Sequence, residues 1–169
     1  GGVPLYLDEW KIDLAYSCSQ KGLSCPPGLG PFSMNERAEN KMSNRKDKVP
    51  NWYLDVSLLN KYWGSDRVYH HTAPVNMNFG IREALRLLAE EGLDSSWNRH
   101  RENAEYTRKW ALNHGQSFFA EQNCYSETLT CIKNDRLWNI ESINKKLLER
   151  GFRMDRGYGK LRGKAFRIS

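Results

Sequence analysis

Three glycines, Gly92, Gly115 and Gly151, each close a stretch of sequence in which apolar residues recur at helical spacing. Such periodicity is typical of amphipathic helices that bury one face. Glycine adopts the positive φ at which many helices end, so the pattern also predicts where each helix stops. The predicted helices begin near Asn76, after Asp94 and near Ile140.

Short strands are predicted around these helices. Residues 12–16 and 29–32 form two short apolar stretches, and the prolines between them break any helix there. Ser33 and Glu36 match a capping box, which predicts a helix reaching about Arg45, and Asp55 is expected to cap another short helix. Strand and helix alternate along the chain, which indicates an α/β or α+β class. Further strands are predicted at residues 117–120, 128–132, 152–154 and 164–169.

The composition excludes two classes of protein. Aromatic residues make up 12% of the chain, which is too many for a disordered segment. No apolar run approaches the roughly 18 residues that a membrane helix needs. The chain starts at Gly1 without a methionine and stops at Ser169 inside a predicted strand. We therefore expect it to be a piece of a larger protein.

The basic charge of the chain belongs to its last 25 residues. Residues 145–169 hold nine Lys/Arg against two Asp/Glu, a net charge of +7, whereas residues 1–144 hold 17 against 18. Such a tail can meet nucleic acid or bind anionic small molecules. Arg156-Gly157-Tyr158 and Arg162-Gly163 have an RGG-like appearance, which keeps a nucleic-acid-binding module as an alternative.

The cysteines and histidines do not predict a metal site. Six residues separate Cys18 from Cys25, and six separate Cys124 from Cys131, whereas zinc sites prefer tighter spacing. Free thiols are the expected state of all four. His70 and His71 are adjacent and point in different directions. His100 is expected to be a packed histidine on the apolar face of a helix.

Lys21 is the most informative residue for chemistry. It follows a predicted strand, in a loop of small side chains before Pro26-Pro27-Gly28. Small neighbours leave room for a bulky cofactor, and a lysine in an enclosed site becomes a nucleophile because it loses solvation. From spacing alone an ordinary exposed lysine explains the same residues.

Residues 17–28 (Ser-Cys-Ser-Gln-Lys-Gly-Leu-Ser-Cys-Pro-Pro-Gly) resemble the cofactor-lysine segment of class V aminotransferases, in the alanine–glyoxylate, serine–glyoxylate and serine–pyruvate group. The matches follow the family order and cover most of the chain. The chain departs from the family at Cys18, where glycine is usual, and at Cys25, where alanine is frequent. The other matching segments are residues 1–5, 51–55, 62–64, 69–74, 82–85, 157–160 and 163–168.

The resemblance implies an α/β fold that corresponds to the C-terminal half of a fold-type I enzyme dependent on pyridoxal phosphate. Residues 1–92 would complete the large cofactor-binding domain, and residues 93–169 would form a truncated, smaller α+β domain. The family's ring-pairing aspartate, its ring-stacking aromatic residue and its phosphate-binding turn would all lie upstream of Gly1. We therefore expect the 169-residue chain alone to be inactive.

The resemblance also implies roles for single residues. Lys21 would carry the cofactor covalently and shuttle a proton, and Gln20 would help to hold the phosphate. Tyr69 and Thr72 would reach the phosphate of the partner subunit's cofactor, so that a homodimer shares its sites. Arg167 would grip the substrate carboxylate through its planar fork.

The implied reaction is transamination from serine or alanine to glyoxylate or pyruvate. We expect no nucleic-acid or membrane partner. We expect a cytoplasmic location, with the peroxisome or mitochondrion as alternatives in a eukaryote. A non-catalytic remnant of the same family is the other alternative that stays open.

Overall fold

The computed structural model describes residues 2–65 and 67–169. Gly1, the first residue of the N-terminal matching segment, lies outside them. The described chain divides into two compact units, of which unit 1 is Leu5–Glu90 and unit 2 comprises Gly2–Pro4 and Glu91–Ser169. The assignment of residues 1–92 and 93–169 to the two domains of an aminotransferase stays a prediction.

Unit 1 begins with a two-stranded antiparallel sheet. Strand β1 (Leu14–Tyr16) pairs with β2 (Phe32–Met34), and Ala15 lies opposite Ser33. The prediction of a strand at residues 29–32 was wrong, because the loop that precedes β2 uses the backbone of Leu29 for other hydrogen bonds. The capping box was also wrong, because Ser33 lies inside β2.

Helices complete unit 1, and most of them are capped by side chains. Asn35 caps α1 (Glu36–Ser43) by accepting a hydrogen bond from the Ala38 amide at 3.0 Å. Asp55 caps α2 (Val56–Trp63) through the Ser57 amide, as the sequence predicts. A 3-10 turn at Trp52–Leu54 precedes α2, and the long helix α3 (Val75–Glu91) reaches the end of the unit.

Unit 2 packs two helices against a second antiparallel pair of strands. Its elements are α4 (Leu93–Asn113), β3 (Thr130–Lys133), α5 (Ile140–Leu148), a 3-10 turn (Gly159–Leu161) and β4 (Ala165–Ile168). Strand β3 pairs with β4, so that Cys131 lies opposite Arg167. Ala111, Ile132, Ile140 and Phe166 form the buried core between these elements.

Three expectations for unit 2 need correction. Residues 117–120 form no strand, and only Phe118 makes an isolated bridge, to Ile132. Residues 152–154 are irregular, and pairing in that segment is confined to one bridge between Asp155 and Arg167. Leu93 begins the expected apolar stripe of α4 but is half exposed, whereas Ala104 is buried.

None of the helices in residues 2–65 and 67–169 combines the length and the apolar character needed to cross a bilayer.

Candidate active site

The loop that carries Gln20 and Lys21 is held in place by Ser19, whose side chain is fully buried. The Ser19 hydroxyl donates to the Pro26 carbonyl at 2.7 Å and accepts from the Leu29 amide at 3.3 Å. The Ser19 backbone adds two further bonds across the loop, to Leu29 and Cys25. These bonds fix the stem of the loop and leave its tip pointing outward.

Gln20 and Lys21 lie at that tip, and both are exposed. The Lys21 carbonyl accepts from the Ser24 amide at 2.8 Å, which closes a tight turn. Within residues 2–65 and 67–169 no side chain hydrogen-bonds or pairs with the Lys21 ammonium group. The expectation of an enclosed lysine is not met in the described residues, because the small side chains next to Lys21 leave space around the amine but do not bury it.

Tyr69 and Thr72 come together in the irregular segment before α3. Their hydroxyl oxygens lie 2.6 Å apart, and both residues are exposed. The ring of Tyr62, from α2, meets the Tyr69 ring edge-on, with 6.4 Å between centroids. Two adjacent hydroxyl groups on a braced turn offer donors to an anionic oxygen, which agrees with the implied phosphate-binding role.

The histidines next to Tyr69 brace this turn, a role that their adjacency in sequence does not predict. His70 is buried, stacks on Trp52 with 4.1 Å between ring centroids, and places Nε2 3.2 Å from the Trp52 carbonyl oxygen. That oxygen only accepts, so the contact requires a hydrogen on His70 Nε2. The Nδ1 atoms of His70 and His71 lie 2.9 Å apart, so one of the two rings donates to the other.

These histidines therefore order the backbone that carries Tyr69 and Thr72.

Within the part of the chain that the structure describes, no three His, Cys, Asp or Glu side chains group as a metal site would require. A contact between Trp52 and His70, 18 residues apart, leaves no periodic signal in the sequence.

Arg167 lies on β4 in unit 2, whereas the other four candidate residues lie in unit 1. One of its terminal nitrogens, Nη2, donates to Asp155 Oδ2 at 2.5 Å. The Arg167 hydrogen bond is the main reason why the pKa of Asp155 lies below the ordinary value of a carboxyl. Burial raises the pKa of the Cys131 thiol, on the strand opposite, so this thiol is held protonated.

The basic tail is partly neutralised by its own unit. Arg156 and Arg162 both pair with Glu141, at 2.6 and 2.8 Å, while Arg167 pairs with Asp155. Pairing of this kind lowers the free positive charge that a nucleic-acid surface would need.

Comparisons with known proteins agree with the resemblance. The family model described as aminotransferase class-V matches residues 1–157. Alanine–glyoxylate aminotransferase of Callithrix jacchus is 40% identical over 99% of this chain and 42% of its own length. (S)-Ureidoglycine–glyoxylate transaminase of Bacillus subtilis is 32% identical over 99% of this chain and 45% of its own length.

A solved structure supports the same family assignment. Alanine–glyoxylate aminotransferase from Nostoc sp. superimposes with a TM-score of 0.90 and 48% identity, over 100% of this chain and 45% of that one. The chain belongs to the class V aminotransferase family, and the predicted α/β fold of this family is confirmed. It spans less than half the length of these relatives. The nucleic-acid alternative is not favoured.

Class V aminotransferases use pyridoxal phosphate, and the residues present suit that group. Covalent attachment needs an amine, and the Lys21 amine is exposed and has no partner among the described residues. A phosphate needs hydrogen-bond donors, and the hydroxyl groups of Tyr69 and Thr72 are donors of that kind. Gln20, beside Lys21, offers an amide donor.

Proposed function

We propose that the full-length protein is a pyridoxal-phosphate-dependent aminotransferase. It would transfer the amino group of serine or alanine to glyoxylate or pyruvate. The observation that carries this proposal is the exposed Lys21 amine, which has no partner among the described residues, at the tip of a loop held by buried Ser19, in a chain of the class V family. The relatives whose names contain glyoxylate support the choice of acceptor.

When bound, the cofactor supplies the electron-withdrawing ring that stabilises negative charge at the substrate Cα. Lys21 Nζ would hold the cofactor covalently. As a free amine, Lys21 Nζ would take the proton from the substrate Cα as a general base and return a proton as a general acid. The hydrogen bonds of Ser19 fix the backbone of the loop that carries Lys21.

The remaining residues bind charged groups. The Tyr69 and Thr72 hydroxyls donate to phosphate oxygens of the cofactor in the partner subunit, so the active form is a homodimer with shared sites. Their exposure, on a turn braced by His70, supports a role toward a group outside this chain. Arg167 binds the carboxylate of the amino acid and of the oxo acid through the parallel donors of its guanidinium.

The test is Lys21→Ala in the full-length protein loaded with pyridoxal phosphate. We expect amino transfer from serine or alanine to glyoxylate to be abolished, because both the covalent link and the proton carrier are lost. Borohydride reduction followed by peptide mass analysis should place the cofactor on Lys21 in the wild type and on no peptide in the variant.

Lys48→Ala is the matched control, since it removes an exposed lysine from another loop of unit 1. It should keep wild-type turnover and the reduced cofactor on Lys21. Normal turnover by Lys21→Ala would defeat the proposal.

A further inference from the structure

Both oxygens of the Asp155 carboxylate accept hydrogen bonds, one from Arg167 and the other from Gly157. Its Oδ2 accepts from Arg167 Nη2 at 2.5 Å, and its Oδ1 accepts from the Gly157 amide at 2.9 Å. We propose that Asp155 is a positioning residue, which fixes the Arg167 guanidinium so that its free edge receives the substrate carboxylate. This inference rests on the proposed function, in which Arg167 binds that carboxylate.

Backbone contacts on both sides of the ion pair fix the position of the Asp155 carboxylate. Asp155 itself forms an antiparallel bridge with Arg167. Gly157 has φ of +83°, and a Cβ there would lie 2.6 Å from the Ala165 carbonyl oxygen, on the strand that carries Arg167. Only glycine allows this approach, so the loop and β4 are tied together where the ion pair forms.

The way in which Arg167 is used leaves part of it free. Arg37 and Arg99 each meet a carboxylate through both Nε and Nη2, which occupies a whole edge of the guanidinium. Arg167 gives Asp155 a single hydrogen from Nη2. A guanidinium has five N–H groups on two edges that can each bind a carboxylate, so one complete edge remains. In residues 2–65 and 67–169 no acceptor takes it.

The arrangement favours binding because an arginine side chain has many rotamers to lose. A free arginine must be ordered when the substrate arrives, whereas Arg167 is already ordered by Asp155. Side-chain exposures of 42% for Arg167 and 32% for Asp155 leave the pair open to a ligand from solvent. Asp155 also repels a second carboxylate, and the experiment decides which effect is larger.

The experiment measures kcat and KM for the amino acid and the oxo acid with the full-length holoenzyme, comparing Asp155→Asn and Asp155→Ala with wild type. Gly157 and Arg167 donate to different oxygens of Asp155, and asparagine replaces one of these oxygens with a donating NH2 group, so it keeps only one of the two contacts. We expect both variants to raise KM roughly tenfold for both substrates, with kcat within about twofold.

Calorimetric binding of glycolate, an unreactive monocarboxylate, should weaken by the same factor. Because Asp155→Asn can still accept from Gly157, it guards against loss of folding in Asp155→Ala. Glu127→Gln is the matched control. Glu127 pairs with Arg101 in the same unit and is 31% exposed, so its loss removes a similar ion pair that does not include Arg167. Its KM should stay at the wild-type value.

The possible outcomes separate the two proposals. If wild type transfers amino groups and Arg167→Lys raises KM while Asp155→Asn leaves KM unchanged, only the role of Asp155 is overturned. A lower KM in Asp155→Asn would also overturn it, because Asp155 would then compete with the substrate. If wild-type holoenzyme transfers no amino group from serine or alanine, the proposed function fails and this inference fails with it.

Discussion

Units 1 and 2 are stabilised in different ways. Unit 2 has an apolar core in which Ala111, Ile132, Ile140 and Phe166 are buried between helices and strands. In the described part of unit 1 the only buried apolar side chain is Cys25, and the other buried residues are Ser19 and His70, which are both hydrogen-bonded. Packing therefore organises unit 2, and polar contacts within loops organise unit 1.

This difference bears on the candidate site. Unit 1 leaves large aromatic side chains exposed, including Tyr16 at 83% and Trp63 at 78%. Exposed apolar surface of this kind is typical of faces that other polypeptide covers. In unit 1, hydrogen bonds within the loops position the segments that carry Lys21, Tyr69 and Thr72. In unit 2, Arg167 follows the core residue Phe166 on β4, so packing of Phe166 positions Arg167.

The largest effect should come from the core of unit 2. Phe166→Ala removes a buried ring that stacks on Trp138, with 6.2 Å between centroids, and leaves a cavity. We expect a loss of about 3–5 kcal/mol in the free energy of unfolding. The measurement is urea unfolding of the full-length protein, with hydrogen exchange of the β3 and β4 amides to locate the change.

Phe152→Ala is the control, since Phe152 is in the same unit but exposed. It should change the free energy of unfolding by no more than about 0.5 kcal/mol. Equal destabilisation by the two substitutions would contradict the view that packing organises unit 2.

A smaller effect should come from the buried hydroxyl of unit 1. Ser19→Ala leaves the Pro26 carbonyl and the Leu29 amide without their Ser19 hydroxyl partner. We expect a loss of about 1–3 kcal/mol. Limited proteolysis within residues 17–30 should accelerate as well, because the stem of the Lys21 loop loosens.

Ser17→Ala provides the comparison for that loop. Ser17 is exposed and uses its backbone amide, which donates to the Pro31 carbonyl at 2.8 Å and survives the substitution. Its stability and proteolysis should match wild type. If Ser19→Ala behaves in the same way, hydrogen bonding at Ser19 does not order unit 1.

The smallest effect should come from the exposed ion pair between Asp13 and Arg37. Arg37 donates to Asp13 through Nε and Nη2 and lowers the pKa of the Asp13 carboxyl, and Asn35 lowers it further. Because the pKa of Asp13 is lower in the folded than in the unfolded protein, the ionised carboxylate stabilises the fold at pH values above the ordinary carboxyl pKa. This stabilisation is lost as the pH falls through the lowered pKa of the folded state. Solvent screening keeps the contribution small.

Asp13→Asn should therefore reduce the free energy of unfolding at pH 7 by less than Ser19→Ala does. The difference from wild type should shrink as the pH falls below the ordinary carboxyl range, at about pH 3. Asp47→Asn, in an exposed loop, is the control, and its free energy of unfolding at pH 7 should match that of the wild type. A difference that grows in acid would contradict the sign of the effect.

Local signals determined much of the secondary structure. The helices that become α3, α4 and α5 follow from apolar periodicity and from Gly92, Gly115 and Gly151, all at positive φ. The cap at Asp55 was also readable, because a cap joins residues two or three positions apart. The motifs around Lys21 indicated the family, which the comparisons confirm. These signals lie within a few residues of one another, so the sequence alone carries them.

Tertiary structure decided what long-range contacts control. The Ser19 hydroxyl accepts a hydrogen bond from the amide of Leu29, ten residues away, so Leu29 belongs to the loop. The second strand therefore lies at Phe32–Met34 and not at the predicted residues 29–32. Asp155 meets Arg167 only because a loop closed by Gly157 returns against β4. Periodicity reports which face of an element is apolar, but hydrogen bonds and ion pairs between distant segments depend on where the backbone brings them. The sequence therefore predicts which residues form the candidate site, and the fold decides which partners hold them.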